Sequence, residues 1–399
     1  MPSKPYPKGN SEPGDSLGLY LHIPFCQAKC AYCDFNSYAG MESLHARYVQ
    51  AVCEEVSNRA RELASSTVDS IYMGGGTPTI LPPSLLQEIL RACTRCFSVQ
   101  SNAEISIEAN PGTLDPQSLL ALRRAGVNRL SLGVQSLSDK ELRLLGRIHN
   151  ASEALQAFRW ARAAGLKNIN LDLIYGLPRQ SLADWKSTLE RALQLAPEHL
   201  SLYALSVEAS TPLAAEIAAC NLPAPDSDLA ADMYTWSVTR LEQAGYEHYE
   251  LSNWALRRGI SSETRCRHNL KYWQVRPYLG LGAGAHSHLD NQRSSNVSHP
   301  LEYAHRIESG LAPTAERTAL SPTESMAETM ILGLRLMDGV SFSDFRQRHN
   351  RELEQEYAKE LKELNKQGLL TIDAVGVRLT AKAWLLANQV FVCFWPRPT

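Results

Sequence analysis

The 399-residue chain has no apolar run near the roughly 18 residues that a membrane-spanning helix needs, so a helical span is excluded and only peripheral membrane contact stays open. It has no charge excess either. Forty Lys and Arg stand against 42 Asp and Glu, a net charge of -2, so nothing electrostatic argues for nucleic acid as a partner. Residues 1–16, rich in Pro, Lys, Gly and Ser, lack the apolar stretch of a signal peptide and read as a disordered lead. Cysteine forms no paired framework: nine are scattered along the chain, an odd number that fits a reduced compartment. These absences predict a cytoplasmic protein. With 44% hydrophobic residues, it has enough apolar surface for one large core and a second, smaller domain.

What is present is concentrated. Three of the nine cysteines fall in the stretch Tyr20-Leu-His-Ile-Pro-Phe-Cys26-Gln-Ala-Lys-Cys30-Ala-Tyr-Cys33-Asp-Phe35, directly after an apolar, β-prone segment. A 4Fe-4S cube has four corner irons, so three thiolates leave one iron open to a ligand from solution or from a cofactor. Structural zinc would need a fourth ligand, usually from a second C-x-x-C pair, and none follows at suitable spacing. His22 lies close by, but in a strand-like run, so the cluster is the preferred reading. Tyr32 and Phe35 are expected to pack about it and limit water. Downstream, Gly74-Gly75-Gly76-Thr77-Pro78 either lets the backbone approach a ligand or makes an ordinary strand-to-helix turn. Cys93 and Cys96 lie within an amphipathic helix and read as core rather than as a redox pair. Gly280-x-Gly282-x-Gly284 follows no convincing strand and opens no apolar-periodic helix, which argues against a dinucleotide fingerprint.

Strand-like runs at 17–23, 70–73, 103–109, 129–134, 168–174 and 200–205 alternate with helix-period segments at 41–63, 83–96, 116–125, 152–164, 182–196 and 227–244. Such alternation predicts an α/β protein with a parallel sheet. Six β-α units are too few for a closed eight-stranded barrel, so residues 17–250 are expected to form a partial (β/α)6 barrel. The segments 26–33, 74–78 and 108–111, with Gln135 and Asp172, fall at or just beyond the C-terminal ends of different strands, where barrel-like sheets keep their sites. Residues 251–320 read as a loop-rich cover over the mouth. Residues 321–399 read as helices near 325–337, 342–348 and 352–367, a hairpin at 370–379 and a helix at 381–390. That order is winged-helix-like, but the balanced charges of 344–366 speak against a DNA reader.

Jointly, C-x-x-x-C-x-x-C after Y-x-H-I-P-F, the later GGGTP and the H-N-x-x-Y-W at 268–273 resemble radical S-adenosylmethionine (SAM) proteins. Among these the chain is most similar to the HemW group of haem chaperones, relatives of oxygen-independent coproporphyrinogen III oxidase, from about Gly18 to the C-terminal helix. The resemblance implies a 4Fe-4S cluster on Cys26, Cys30 and Cys33. It also implies that SAM chelates the open iron, where one-electron cleavage yields a 5'-deoxyadenosyl radical. Carried over position by position, it implies SAM contacts at Tyr20, Gly75, Gly76, Thr77, Glu108, Gln135, Arg147 and Asp172; a second SAM is left open. Haem contacts are implied at His268, Asn269, Tyr272 and Trp273, an imidazole able to ligate iron beside two aromatics able to cover a porphyrin. His286 and His288 are expected to line the barrel mouth.

The implied function is to carry haem to acceptor proteins, with no catalytic residue assigned. The alternative is the oxidase itself, which decarboxylates coproporphyrinogen III to protoporphyrinogen IX. Two departures count against it: the oxidases carry C-x-x-x-C-x-x-C-x-C where position 35 here is Phe, and they have a longer segment ahead of the position of Tyr20.

Overall fold

Six strands, each followed by a helix, build the body of the fold. The structure, a computed structural model, describes residues 16–63, 66–257 and 264–396; the disordered lead expected at 1–16 lies outside these apart from Ser16. In chain order the strands are β1 (Leu17–Ile23), β2 (Thr67–Gly75), β3 (Ser98–Ala109), β4 (Arg129–Gln135), β5 (Asn168–Tyr175) and β6 (His199–Ala204). The helices of the body are α1 (His45–Glu62), α2 (Pro83–Cys96), α3 (Pro116–Arg124), α4 (Asp139–Leu144), α5 (Ala151–Ala163), α6 (Leu182–Leu193), α7 (Pro212–Ala218) and α8 (Ser227–Gln243). The short α4 and α7 were not foreseen, since neither is long enough to show helical periodicity. Several starts were legible as caps: Asp115, Asn150 and Ser181 each form a capping box with the third residue of the helix.

All six strands pair in parallel and in sequence order. Parallel strands covered on both faces are usually apolar throughout, but here they alternate. Leu19 and Leu21, Leu130 and Leu132, Ile169 and Leu171, and Leu200 and Leu202 belong to the main core. Their neighbours Tyr20, Arg129, Ser131, Asn170, Asp172 and Ser201 point to the opposite face. One face of the sheet is a core and the other is the wall of a cavity.

The stretch expected to be a loop-rich cover contributes instead to the same sheet. It holds β8 (Asn253–Leu256), which pairs with β7 (Tyr246–Glu250) and β6, then α9 (Arg267–Trp273), β9 (Tyr278–Leu281), β10 (His286–Leu289), β11 (Gln292–Asn296), α10 (Pro300–Glu308) and β12 (Thr314–Ala319). β9 lies parallel to β1, and β10 to β12 continue antiparallel, completing a twelve-stranded sheet. The glycine-rich stretch therefore follows a strand after all, though no helix follows it. Gly280 sits so close to its neighbour that a β-carbon would fall 2.0 Å from the His286 carbonyl oxygen. Glu55 of α1 ties this extension down by accepting from Gly282 N, Asn296 Nδ2 and the Tyr303 hydroxyl, and burial raises its pKa.

The C-terminal unit comprises α11 (Pro322–Gly333), β13 (Val340–Ser341), α12 (Phe342–His349), α13 (Leu353–Glu356), α14 (Ala358–Lys366), β14 (Leu370–Ile372), β15 (Gly376–Leu379) and α15 (Ala387–Val392). The expected hairpin gains a third strand, and the helix expected over 352–367 breaks at Tyr357. The unit has its own core around Met330, Phe345, Leu361, Val377 and Val390. An ion pair at 2.7 Å between Arg335 and the fully buried Glu250 of β7 joins it to the sheet. No helix among the described residues is long and apolar enough to cross a membrane.

Candidate functional site

β1 runs into the cysteine loop at Pro24. Phe25 is buried against His45 and Tyr48 of α1, which fixes where the loop begins. From there backbone groups hold the loop. Cys26 N donates to Tyr38 O (2.9 Å) and Tyr38 N to Pro24 O (2.7 Å), closing its base. Ala31 N donates to Leu145 O, Leu213 N to Ala31 O, and Cys33 N to Cys30 O. All three cysteines are free and partly exposed. Arg147 Nη1 donates to Cys30 Sγ at 3.3 Å while Nη2 donates to Gly133 O at 2.8 Å, and Thr77 Oγ1 lies 3.5 Å from Cys26 Sγ. Burial raises the Cys33 pKa.

The loop faces a cavity of about 440 Å³ at the C-terminal ends of the strands. Cys26, Cys30, Cys33, Gly75, Gly76, Thr77, Glu108, Gln135, Arg147, Asp172 and Asn269 all line it, so eleven of the fifteen expected positions meet there. Glu108 accepts from the Tyr72 hydroxyl (2.8 Å) and Gly75 N (3.0 Å); burial, with Asp172 nearby, pushes its pKa up to about 7. Burial raises Asp172 as well, although Ser131 and Asn170 donate to it. Gln135 ends β4 at a register shift with φ of 65°, a conformation that costs a non-glycine residue on the order of 1 kcal/mol and turns it out of the strand. Tyr20 does not line the cavity. Its hydroxyl is hydrogen-bonded to His22 Nδ1, and His22 Nε2 to Asn36 O, so it braces the base of the loop.

The glycine loop has a reason of its own. Gly75 has φ of 110°, and a β-carbon there would lie 2.4 Å from the His22 ring; one on Gly76 would lie 2.7 Å from Phe25 O. Contact with the end of β1 and the start of the cysteine loop already requires these glycines, before any ligand is considered. Phe35 and Tyr32, expected to pack about the cluster, both line the cavity, with Phe35 itself 66% exposed.

Residues 20–192 match the radical SAM superfamily, and residues 320–386 match the HemN C-terminal domain. The chain is 36% identical to the heme chaperone HemW of Bacillus subtilis over 94% of this chain and 98% of that relative. The chain belongs to the HemW family. Its identity to HemW of Escherichia coli is 39% over 71% of this chain and 74% of that relative. The solved structure of coproporphyrinogen III oxidase (HemN) from Escherichia coli, a radical SAM enzyme, is 27% identical and superposes with a TM-score of 0.83, covering 96% of this chain and 91% of that one.

Membership of the radical SAM superfamily implies a 4Fe-4S cluster and SAM, and the residues present fit both. Three free thiols border the cavity, a guanidinium donates to one of them, and carboxylates able to meet an ammonium or ribose hydroxyls stand across from them. Among the described residues no three His, Cys, Asp or Glu side chains gather about a point that would hold a single metal ion, which a multi-iron cluster does not require.

The HemW-like segment at 268–273 forms one helix, α9, and its four residues part company. His268 is fully buried. Its Nδ1 is bonded to Ser70 Oγ (3.0 Å) and its Nε2 to the Tyr272 hydroxyl (2.9 Å), and it stacks on Tyr72; burial pushes its pKa down to about 3. Asn269 reaches the cysteine cavity, while Tyr272 and Trp273 line a second cavity of about 410 Å³ with Tyr278, Ile331, Leu332 and Trp395. His286 and His288, on β10, line neither. Sequence reasoning missed Arg129, Ser131, Asn170, Ser201 and Tyr203, which line the cysteine cavity. Their signal was the period of two that sets polar residues between the leucines of β4 to β6.

Proposed function

We propose that this chain binds haem, a 4Fe-4S cluster and SAM and passes haem to acceptor proteins. The observation that carries this reading is the single cavity shared by Cys26, Cys30, Cys33, Gly75, Glu108, Arg147 and Asp172, in a chain so similar to relatives named heme chaperone HemW. When bound, the cluster and SAM supply one-electron chemistry. Arg147 would steady thiolate charge at Cys30 and pair with a carboxylate, while Glu108 and Asp172 would accept from an ammonium or from hydroxyls. Haem would rest on α9, with Tyr272 and Trp273 giving an aromatic face. His268 would ligate iron through Nε2 by giving up its bond to Tyr272.

Anaerobic reconstitution with iron, sulfide and haem tests this. About one haem per chain should bind and pass to an apo-acceptor. His268→Ala should shift the Soret band; Trp273→Ala should weaken binding without changing ligation. Failure of the unmodified protein to bind haem ends the reading. The likeness to the oxidase fold favours a second reading, decarboxylation of coproporphyrinogen III. Protoporphyrinogen IX formed from that substrate with SAM and an electron donor would restore it.

A further inference from the structure

The polar inner face of the sheet is almost entirely satisfied by its own hydrogen bonds. Asn170 bonds Ser131, Asp172, His199 and Ser201, and Ser201 bonds Asn253. Ser106 Oγ, Asn168 Oδ1 and Arg129 are exceptions, and of these only Arg129 carries a charge. It opens β4, at the end of the strand away from Gln135, is only 1% exposed, and lines the cavity. Among the described residues its guanidinium makes no hydrogen bond and no ion pair within 4 Å, and its Nε is buried without a partner. Glu104 on the neighbouring strand is the nearest candidate, yet its oxygens accept from Arg267 N, His268 N and Cys266 Sγ at the start of α9.

The charge of Glu104 supports the guanidinium from a distance, but a fork taken out of water without an acceptor for its N–H groups is unfavourable and calls for something else to complete it. What completes it must be an acceptor of opposite charge. The cavity wall also carries Glu108, Asp172 and Glu208, which oppose a dianionic phosphate, whereas a carboxylate brings one charge and matches the planar fork with two parallel bonds. We propose that Arg129 is a carboxylate-binding subsite at the floor of this cavity. Two guests of the proposed function carry such a group, the methionine end of SAM and the propionates of haem, and Asn269, which lines the same cavity, links this floor to α9. The inference rests on the reading above only for the identity of these guests.

The full-length, anaerobically reconstituted protein and its Arg129→Met and Arg129→Lys variants are to be compared by thermal melting without guest and by binding of four probes. These are haem, haem dimethyl ester, SAM and 5'-methylthioadenosine, the second and fourth lacking the carboxylates. Without guest, Arg129→Met should melt within a few degrees of the unmodified protein, because no hydrogen bond of the folded chain uses the guanidinium. It should bind haem, SAM or both about tenfold more weakly, with the carboxylate-free probes unaffected; which acid weakens names the source. Arg129→Lys should recover part of the loss, as a charge without the fork. Arg129 is overturned as a subsite if the Met and Lys variants bind both acids as tightly as the unmodified protein does, or if the Met variant melts lower and weakens all four probes alike. If the unmodified protein binds SAM but no haem, the haem reading fails while the SAM pair still decides the role of Arg129.

Discussion

The cysteine loop and α9 are built on opposite plans. The loop is held mainly by its backbone: Cys26, Ala31 and Cys33 donate their amides to Tyr38, Leu145 and Cys30, while the thiols add only the long contacts of Cys30 with Arg147 and of Cys26 with Thr77. α9 is held by its side chains and the groups around them. Glu104 accepts from its first amides, His268 is bonded on both ring nitrogens, Lys271 pairs with Asp69 at 2.8 Å, and Arg335 lies 4.4 Å over the Trp273 ring. Side chains that carry no structure can be given to a ligand at little cost. Side chains that hold the fold must first be released.

The sharpest test of that contrast is Cys30→Ala. Iron and sulfide in the reconstituted protein should fall from about four of each per chain to nearly none. The melting temperature of the unloaded protein should move little, since the thiol accepts only the 3.3 Å bond from Arg147, whose guanidinium stays anchored on Gly133 O. A drop of many degrees would put the loop on the same plan as α9.

Next in size is an opposed pH dependence. The folded state holds the His268 pKa near 3, below its ordinary 6.5, so its stabilising contribution is present above about pH 6.5 and is lost as pH falls towards 3. The full change is on the order of 5 kcal/mol. Glu108 stands the other way: its folded value of about 7 exceeds the ordinary 4.5, so its contribution is present below pH 4.5 and is lost as pH rises through 7, on the order of 3 kcal/mol. Urea melts across pH 4 to 8 should therefore show a shallower acid loss in His268→Gln and a shallower loss at high pH in Glu108→Gln. Parallel curves for variant and parent would remove either group as the origin.

Smaller again, Glu104→Ala leaves two buried amides of α9 without their acceptor and should cost about 2 kcal/mol, read as a lowered denaturant midpoint. Smallest is Phe35→Ser, which should change stability by less than about 0.5 kcal/mol because the ring is mostly in water. A larger loss would mean that Phe35 closes over the cavity.

Most of the helical body was legible because its signals are local. Pro116, Ser152 and Leu182 follow Asp115, Asn150 and Ser181 closely enough for the start of each helix to be read within a residue. β9 to β12 were not legible. Residues 278–281 are short and glycine-bearing, and become a strand by pairing with β1, some 260 residues earlier in the chain. The haem segment was legible as a motif but not as a geometry: successive residues of a helix turn about 100°, so His268 and Asn269 cannot share a face, whereas His268 and Tyr272, four apart, do.

The sequence by itself determined the chemistry that one loop or one strand can assemble. Three thiols within eight positions lie on one loop whatever surrounds them, and the alternation of leucines with polar residues commits one sheet face to a core and the other to a cavity. Only the tertiary structure decided that Gly75 must make way for His22, that His268 turns inward onto Ser70, and that Arg129 is left without a partner. Each of these depends on which distant strand lies alongside. That is a matter of packing many residues at once, which no local spacing encodes.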